Sequence, residues 1–321
     1  MELFGLFMYL LGFLAVALIY AIGCLGVNIN WGFTGLFNVG VAGFFAVGAY
    51  STAIVTSPPS PVHLGGFDLP IPVGLVAAIV FAGAVAWVVG RICLRLRSDY
   101  LAIATVGIAE ILRLVFRNFE SLGGGPFGVQ RVPRPFESLP QPWSEIGFIA
   151  VLAVILLLLY VLIQRAWSAP WGRVLRAIRD NEEAAAAAGK NVEAFRLQAF
   201  VLGSAIMGLF GGLFALYTKT ITPNAIEPLM VTFLPWVMLI VGGSGNNKGA
   251  ILGAMAIWAL WTMTEILTGL LPSDWASRAA FIRVFLIGLL LQIVLQRFPG
   301  GLLPEKPPII RAPDEKHPDR T

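Results

Sequence analysis

Long apolar runs separated by short polar connectors occupy almost the whole chain. The runs fall at 4–27, 34–56, 71–92, 100–118, 145–164, 194–218, 228–246 and 249–271, with a further one at 278–297. A helix needs ~20 apolar residues to cross a hydrocarbon core, so each run predicts a membrane-crossing helix. None shows the ~10-residue alternation of a barrel strand. The expected fold is an all-α polytopic transmembrane bundle of about eight to nine spans over 1–300, followed by a polar, proline-rich cytoplasmic tail over 301–321. The second run, "NWGFTGLFNVGVAGFFAVGAY", is crowded with glycines, Thr34 and Asn38. That composition admits a broken or re-entrant helix, which membrane depth tolerates only inside protein or against a watery cavity.

Composition sharpens this picture. Hydrophobic residues are 57% of the chain and charged residues 12%, about half the charged share of ordinary soluble domains. Mean hydropathy is +0.81. The net charge of +4 is no nucleic-acid footprint, because the bases flank the apolar runs and sort by side. With the connector after the third run in the cytoplasm, 15 of the 22 Lys and Arg lie on cytoplasmic segments, as the positive-inside rule requires. This puts the N-terminus outside and the C-terminus inside, and those two ends demand an odd number of crossings, which selects nine. The first run has no basic n-region and no small-residue cleavage site, so it reads as a retained span. Cys24 and Cys93 have no metal-like spacing and form no disulfide framework. His63, in a Pro/Gly-rich outer connector, reads as solvated.

One cytoplasmic connector, about 165–193, breaks the pattern with "RAIRDNEEAAAAAGKN", Arg176 to Asn191. Asp180 is a good N-cap residue and Glu183 stands three positions on, as in a capping box. Glu182 and Glu183 suit the positive end of the helix dipole, and Gly189 suits the left-handed C′ position. The expected helix has about two turns, too short to persist alone in water, so it must dock. Its alanines allow close approach, while Arg176, Arg179, Glu182 and Glu183 offer directional contacts. Packing on the chain's own helices and docking on another protein both satisfy this local physics.

The spacing Glu183-Ala184-Ala185, three residues, then Gly189 resembles the E-A-A-x-x-x-G signature of ABC-importer permeases. Leu94 to Val129 ("LRLRSDYLAIATVGIAEILRLVFRNFESLGGGPFGV"), Asn30 to Tyr50 and Met238 to Ala254 ("MLIVGGSGNNKGAILGA") resemble the corresponding regions of branched-chain amino acid permeases, in the expected order. The chain is most similar to the longer of that system's two different permease subunits. The resemblance implies a coupling helix, built on Arg176, Arg179, Asp180, Glu182, Glu183, Ala184, Ala185 and Gly189, seated in a groove of an ATPase subunit. It also implies the partners: two ATP-binding cassette ATPases, a second homologous permease and an external periplasmic binding protein, with lipid around the spans, in a bacterial inner membrane. "GGSGNNKG" lacks the P-loop spacing, so ATP would be used by the partner subunits and this chain would bind no cofactor.

Intramembrane ionisable residues are functional candidates because their burial is costly. Glu110 lies centrally in the 100–118 run, with Arg113 one turn away as a structural partner. Glu265 lies in the 249–271 run, with Arg278 or Arg283 as partners. Asn28, Asn30, Thr34 and Asn38 either line a polar break or hydrogen-bond between helices. Gly208 to Gly212 point to close helix packing, and Trp31, Trp236, Trp258 and Trp261 to interface or apolar packing. The remaining alternatives are related cargo, such as urea, short amides or other small polar solutes, and a free-standing carrier or channel. A membrane enzyme would need a convergent polar cluster, and the sequence holds no His pair, metal-ligand spacing or nucleophile motif.

Overall fold

The computed structural model describes residues 2–60, 65–269, 273–298 and 300–305. The expectations for His63 and for the tail beyond Glu305 lie outside the described residues, as does the side chain of Arg283. Among the described residues twelve α-helices follow in order: α1 Glu2–Asn28, α2 Val41–Thr56, α3 Ile71–Cys93, α4 Ser98–Asn118, α5 Glu120–Gly123 (one turn) and α6 Trp143–Ser168. Then come α7 Pro170–Asp180, α8 Glu182–Ala187, α9 Val192–Thr218, α10 Leu234–Gly242, α11 Asn247–Gly269 and α12 Ser273–Arg297. Among the described residues, five helical stretches are long and apolar enough to cross a membrane: Phe4–Phe33, Ile71–Cys93, Trp143–Ser168, Val192–Thr218 and Asn247–Leu267.

The other predicted spans take different forms. The run at 34–56 is helical only from Val41; residues 35–40 form an irregular turn. The run at 228–246 opens with a π turn, Leu229–Phe233, and its helix α10 stops at Gly242. Pro235 accounts for the irregular start, because it has no N–H and its ring crowds the carbonyl four residues earlier. A second π turn, Ile29–Phe33, ends α1.

Contacts between connectors sort the helix ends into two groups. At one end, Arg179 donates to the Gly32 carbonyl, Gly245 N–H donates to Asn28 Oδ1 (2.8 Å), and Leu303 N–H donates to the Gly242 carbonyl (2.9 Å). Arg95, after α3, and Glu193, opening α9, approach to 3.8 Å there. At the other end, Gly66 N–H donates to Ile54 O (2.8 Å) between α2 and α3. There the strands β1 (Val129–Gln130) and β2 (Thr220–Ile221) pair antiparallel, joining the connectors after α4 and α9. Arg134 and Glu145 form a two-pronged ion pair at the start of α6, with the guanidinium 4.5 Å from the Phe148 ring. Lys219 Nζ lies 2.7 Å from Glu137, and this hydrogen bond holds the Glu137 carboxyl below its ordinary range. The Arg-rich connectors after α3 and before α9 thus gather on one side.

The centre is α2, α3 and α9, and small residues set their spacing. Gly74, Ala78, Ala82, Ala86 and Gly90 fall at every fourth position of α3 and are all buried. A methyl group on Gly208 of α9 would stand 2.3 Å from the Ala82 Cβ, and one on Gly48 of α2 would stand 1.9 Å from the Gly208 carbonyl. The backbones therefore meet without intervening side chains, as predicted for Gly208 to Gly212. The opposite face of α3 exposes Val76, Val80, Trp87 and Val88, a surface suited to lipid.

Candidate functional site

The break between α1 and α2 is built rather than loose. Gly35 (φ +68°) turns the chain out of the π turn, a backbone state that glycine adopts without strain. Asn38 Oδ1 then accepts from Gly40 N–H (3.0 Å) and so launches α2. The exposed backbone groups find side chains from distant helices. Val39 N–H donates to Thr105 Oγ1 on α4 (3.1 Å), Ala42 N–H to Thr232 Oγ1 (3.0 Å), and Trp236 Nε1–H to the Asn38 carbonyl (3.3 Å). Asn38 Nδ2 approaches Ser204 Oγ on α9 at 3.5 Å. A buried backbone with no helical ladder requires such partners.

Beside the break lies a groove of about 640 Å³. Phe37, Val39 and Ala42 form one wall, and Val106, Ala109, Glu110 and Arg113 of α4 a second. Thr232, Phe233, Trp236 and Ile240 form the third. The Glu110 and Arg113 side chains pair at 2.5 and 2.8 Å, and both remain partly accessible. Trp31, Phe37 and Trp236 pack together with centroids 5.0–5.5 Å apart, toward the Arg179 end, because the Gly32 carbonyl next to Trp31 accepts from Arg179. Trp236 thus lines the groove, beyond the packing role expected for it, whereas Trp258 stacks on Tyr20 at 5.2 Å.

The other polar candidates divide. Asn28 bridges α1 to the α10–α11 connector: its Nδ2 donates to Asn247 Oδ1 (3.0 Å) and its Oδ1 accepts from Gly245 N–H. Asn247 in turn donates to Gln164 of α6 (3.0 Å). Thr34 bonds back to the Asn30 carbonyl. The Asn30 amide is fully buried, packs against Gly203, and finds no hydrogen-bond partner among the described residues. Glu265 is exposed on α11 and does not line the groove.

The 176–191 segment folds into two pieces. Asp180 is not the N-cap expected of it: it is the last residue of α7. Asn181, extended at φ −158°, ψ 104°, interrupts the helix, and its Oδ1 caps α8 by accepting from Ala184 N–H (2.9 Å). Helix α7 starts at Pro170, and its register carries it one residue further than the local pattern indicates. With the cap at Asn181, Glu183 is one position short of a capping box. Gly189 does take the left-handed state (φ +76°), with its own N–H bonded to Ala186 O and that of Lys190 to Ala185 O, a Schellman ending.

Ala185 packs with Ile178 and Val192 in a small apolar cluster, so α8 docks on α7 and α9 by one face. Glu183, Ala184 and Ala186 to Ala188 stay exposed on the other. Arg196 of α9 holds Glu182 at 2.9 Å, Arg176 lies 4.5 Å from the Trp167 ring, and Arg179 turns inward to Gly32 and Glu305. The helix is a braced surface feature with a free face.

Residues 9–295 match the family described as "Branched-chain amino acid transport system / permease component". The chain is 30% identical over 284 residues, 86% of its length and 80% of the relative's, to a Methanocaldococcus jannaschii protein named probable branched-chain amino acid transport permease protein LivM. It is 29% identical over 321 residues to the Escherichia coli K12 high-affinity branched-chain amino acid transport system permease protein LivM, covering 92% of this chain and 70% of that one. The corresponding LivH protein of Salmonella typhimurium is 23% identical over 282 residues, 84% of this chain and 89% of its own. No solved structure matches.

Proposed function

The chain belongs to the family of branched-chain amino acid transport permease components, and from that premise we propose how its geometry serves transport. It is a multi-pass membrane permease of the LivM type, a transport subunit and not an enzyme. Its cargo is branched-chain amino acids, moved inward across a bacterial inner membrane by alternating access. Energy comes from two separate ATPase subunits, cargo from an external binding protein, and the other half of the passage from a second, LivH-like permease.

The groove at the α1–α2 break is the observation that carries this reading. Its walls are aliphatic and aromatic, which suits a branched side chain. Its Glu110–Arg113 pair offers an acceptor and a donor of opposite charge, as an amino acid zwitterion requires. One paired set gives orientation without tight retention, and a passage must release what it admits. The Trp31–Phe37–Trp236 cluster closes the groove toward the cytoplasm. Asn38 holds the non-helical wall, and Asn28, Asn30 and Thr34 shape the helix end behind it. The free face of α8, with Glu183, Ala184 and the exposed alanines, meets the ATPase. Asn181 and Gly189 fix its ends, and Arg196 restrains Glu182.

Uptake of labelled leucine by the assembled transporter tests the cargo. Excess unlabelled isoleucine or valine should abolish it, and urea or a short amide should leave it intact. Uptake insensitive to both amino acids would remove the branched-chain assignment and leave the family's other small polar solutes.

A further inference from the structure

The segment after α12 is a strap. Leu302 and Leu303 donate their backbone N–H groups to the carbonyls of Val241 and Gly242, at 2.8 and 2.9 Å. Asn246 Nδ2 holds the Leu303 carbonyl at 3.1 Å. The contact admits no side chain at Gly243 (φ +115°), where a methyl group would stand 2.3 Å from the Leu303 carbonyl. The strap is therefore fastened to the C-terminal end of α10, the helix whose Trp236 and Ile240 line the groove. It continues to Glu305, whose Oε2 lies 2.8 Å from Arg179 Nη1, with the two side chains only 22% and 25% exposed.

Arg179 is placed to feel the cytoplasmic helices. Its neighbour Ile178 shares an apolar cluster with Ala185 of α8, so α7 and α8 are packed as one unit. Arg179 also donates to the Gly32 carbonyl, in the π turn that leads into the non-helical wall of the groove. One guanidinium therefore touches both movable walls, the 35–40 segment through Gly32 and α10 through Glu305 and the strap. Coupling between distant sites needs such a contiguous physical chain. A short rigid helix at its end passes on displacement instead of absorbing it.

We propose that Arg179 and Glu305 are a positioning pair that transmits movement of the α7–α8 unit, through the 300–305 strap, to α10 and the groove. This rests on the importer reading above, and it assigns Arg179 to a link within the chain, leaving the ATPase contact to α8.

The test uses the full transporter with its ATPases and binding protein, reconstituted in liposomes. Arg179→Met, Glu305→Gln and the double variant are compared for ATPase recovered with the permease and for leucine taken up per ATP hydrolysed. Each single variant should retain its ATPase and lose about tenfold in uptake per ATP. The double variant should be no worse than the worse single, because both remove one link. A structural defect would lower the yield of complex and leave that ratio unchanged, and an unchanged ratio overturns the proposal. So do additive losses, or loss of the ATPase from Arg179→Met alone, which would place Arg179 at the ATPase surface. Should Arg179→Met fail to fold and insert at all, the ratio for Glu305→Gln decides by itself. A wild-type chain that recovers no ATPase would instead remove the importer reading, a distinguishable result.

Discussion

At the scale of single residues, polar groups inside this bundle do different work according to what they touch. Asn28 satisfies the Gly245 N–H and an Asn247 that reaches on to Gln164. Asn30, two residues later, has both amide atoms buried without a partner among the described residues. Stripping one side of a satisfied buried pair costs the desolvation of the group left behind, whereas removing a group that pairs with nothing costs little. Asn28→Leu should therefore lower stability by about 1–3 kcal/mol, seen as a fall in the thermal midpoint of the complex in detergent. Asn30→Leu should leave that midpoint nearly unchanged or raise it. Equal losses in the two variants would show that Asn30 has a partner that matters.

The residue scale also shows what the sequence could reveal. Glu110 and Arg113 lie one helical turn apart, and their pairing follows from spacing alone. The hydroxyls that hold the break do not announce themselves. Thr105 and Thr232 lie 66 and 190 residues from the amides they serve, in runs that read as merely apolar. The Arg179–Glu305 contact crosses most of the C-terminal half of the chain, and neither residue carries a local sign of it. The aromatic wall was hidden too, because a tryptophan in a membrane run has the same appearance in a belt, a core or a groove.

At the scale of elements, capping chemistry was the most legible signal and also the source of one error. Asn181 and Asp180 are both good N-caps, and the choice between them depends on how far α7 propagates from Pro170, which no short window contains. Gly189 was read correctly because its demand, a left-handed backbone, is local. The resulting α8 is braced on one face and free on the other, and that arrangement yields a prediction. The Glu183 side chain is exposed and makes no hydrogen bond or ion pair to another described residue. Glu183→Lys should leave the chain inserted and stable yet reduce the ATPase recovered with it by about tenfold, the scale of losing a charged interface contact. Undiminished recovery would mean that the free face of α8 is not where the ATPase binds.

At the scale of the whole molecule, the sorting of helix ends agrees with the charge asymmetry. The basic connectors gather at the end where Arg179, Gly245 and the strap meet, and the paired strands close the opposite end. Length and hydropathy alone recover five spans among the described residues. The other helices are shortened, opened by a π turn or more polar, and the irregular 35–40 segment, the more polar α4 and the π turn before α10 enclose the groove. The departures from a regular span thus coincide with the proposed passage, as expected where backbone at membrane depth must line a cavity or be held by protein. They are also why the shapes of the 34–56 and 228–246 runs could not be read from hydropathy.

The central claim is that this chain is one component of an ATP-driven importer. The most direct test is affinity purification of the tagged full chain from native membranes in mild detergent, with mass spectrometry of the proteins recovered. A P-loop ATPase and a second, homologous permease should be recovered in stable association with it. A chain recovered alone, under conditions in which a known importer stays assembled, would contradict the claim and point to a free-standing carrier or channel.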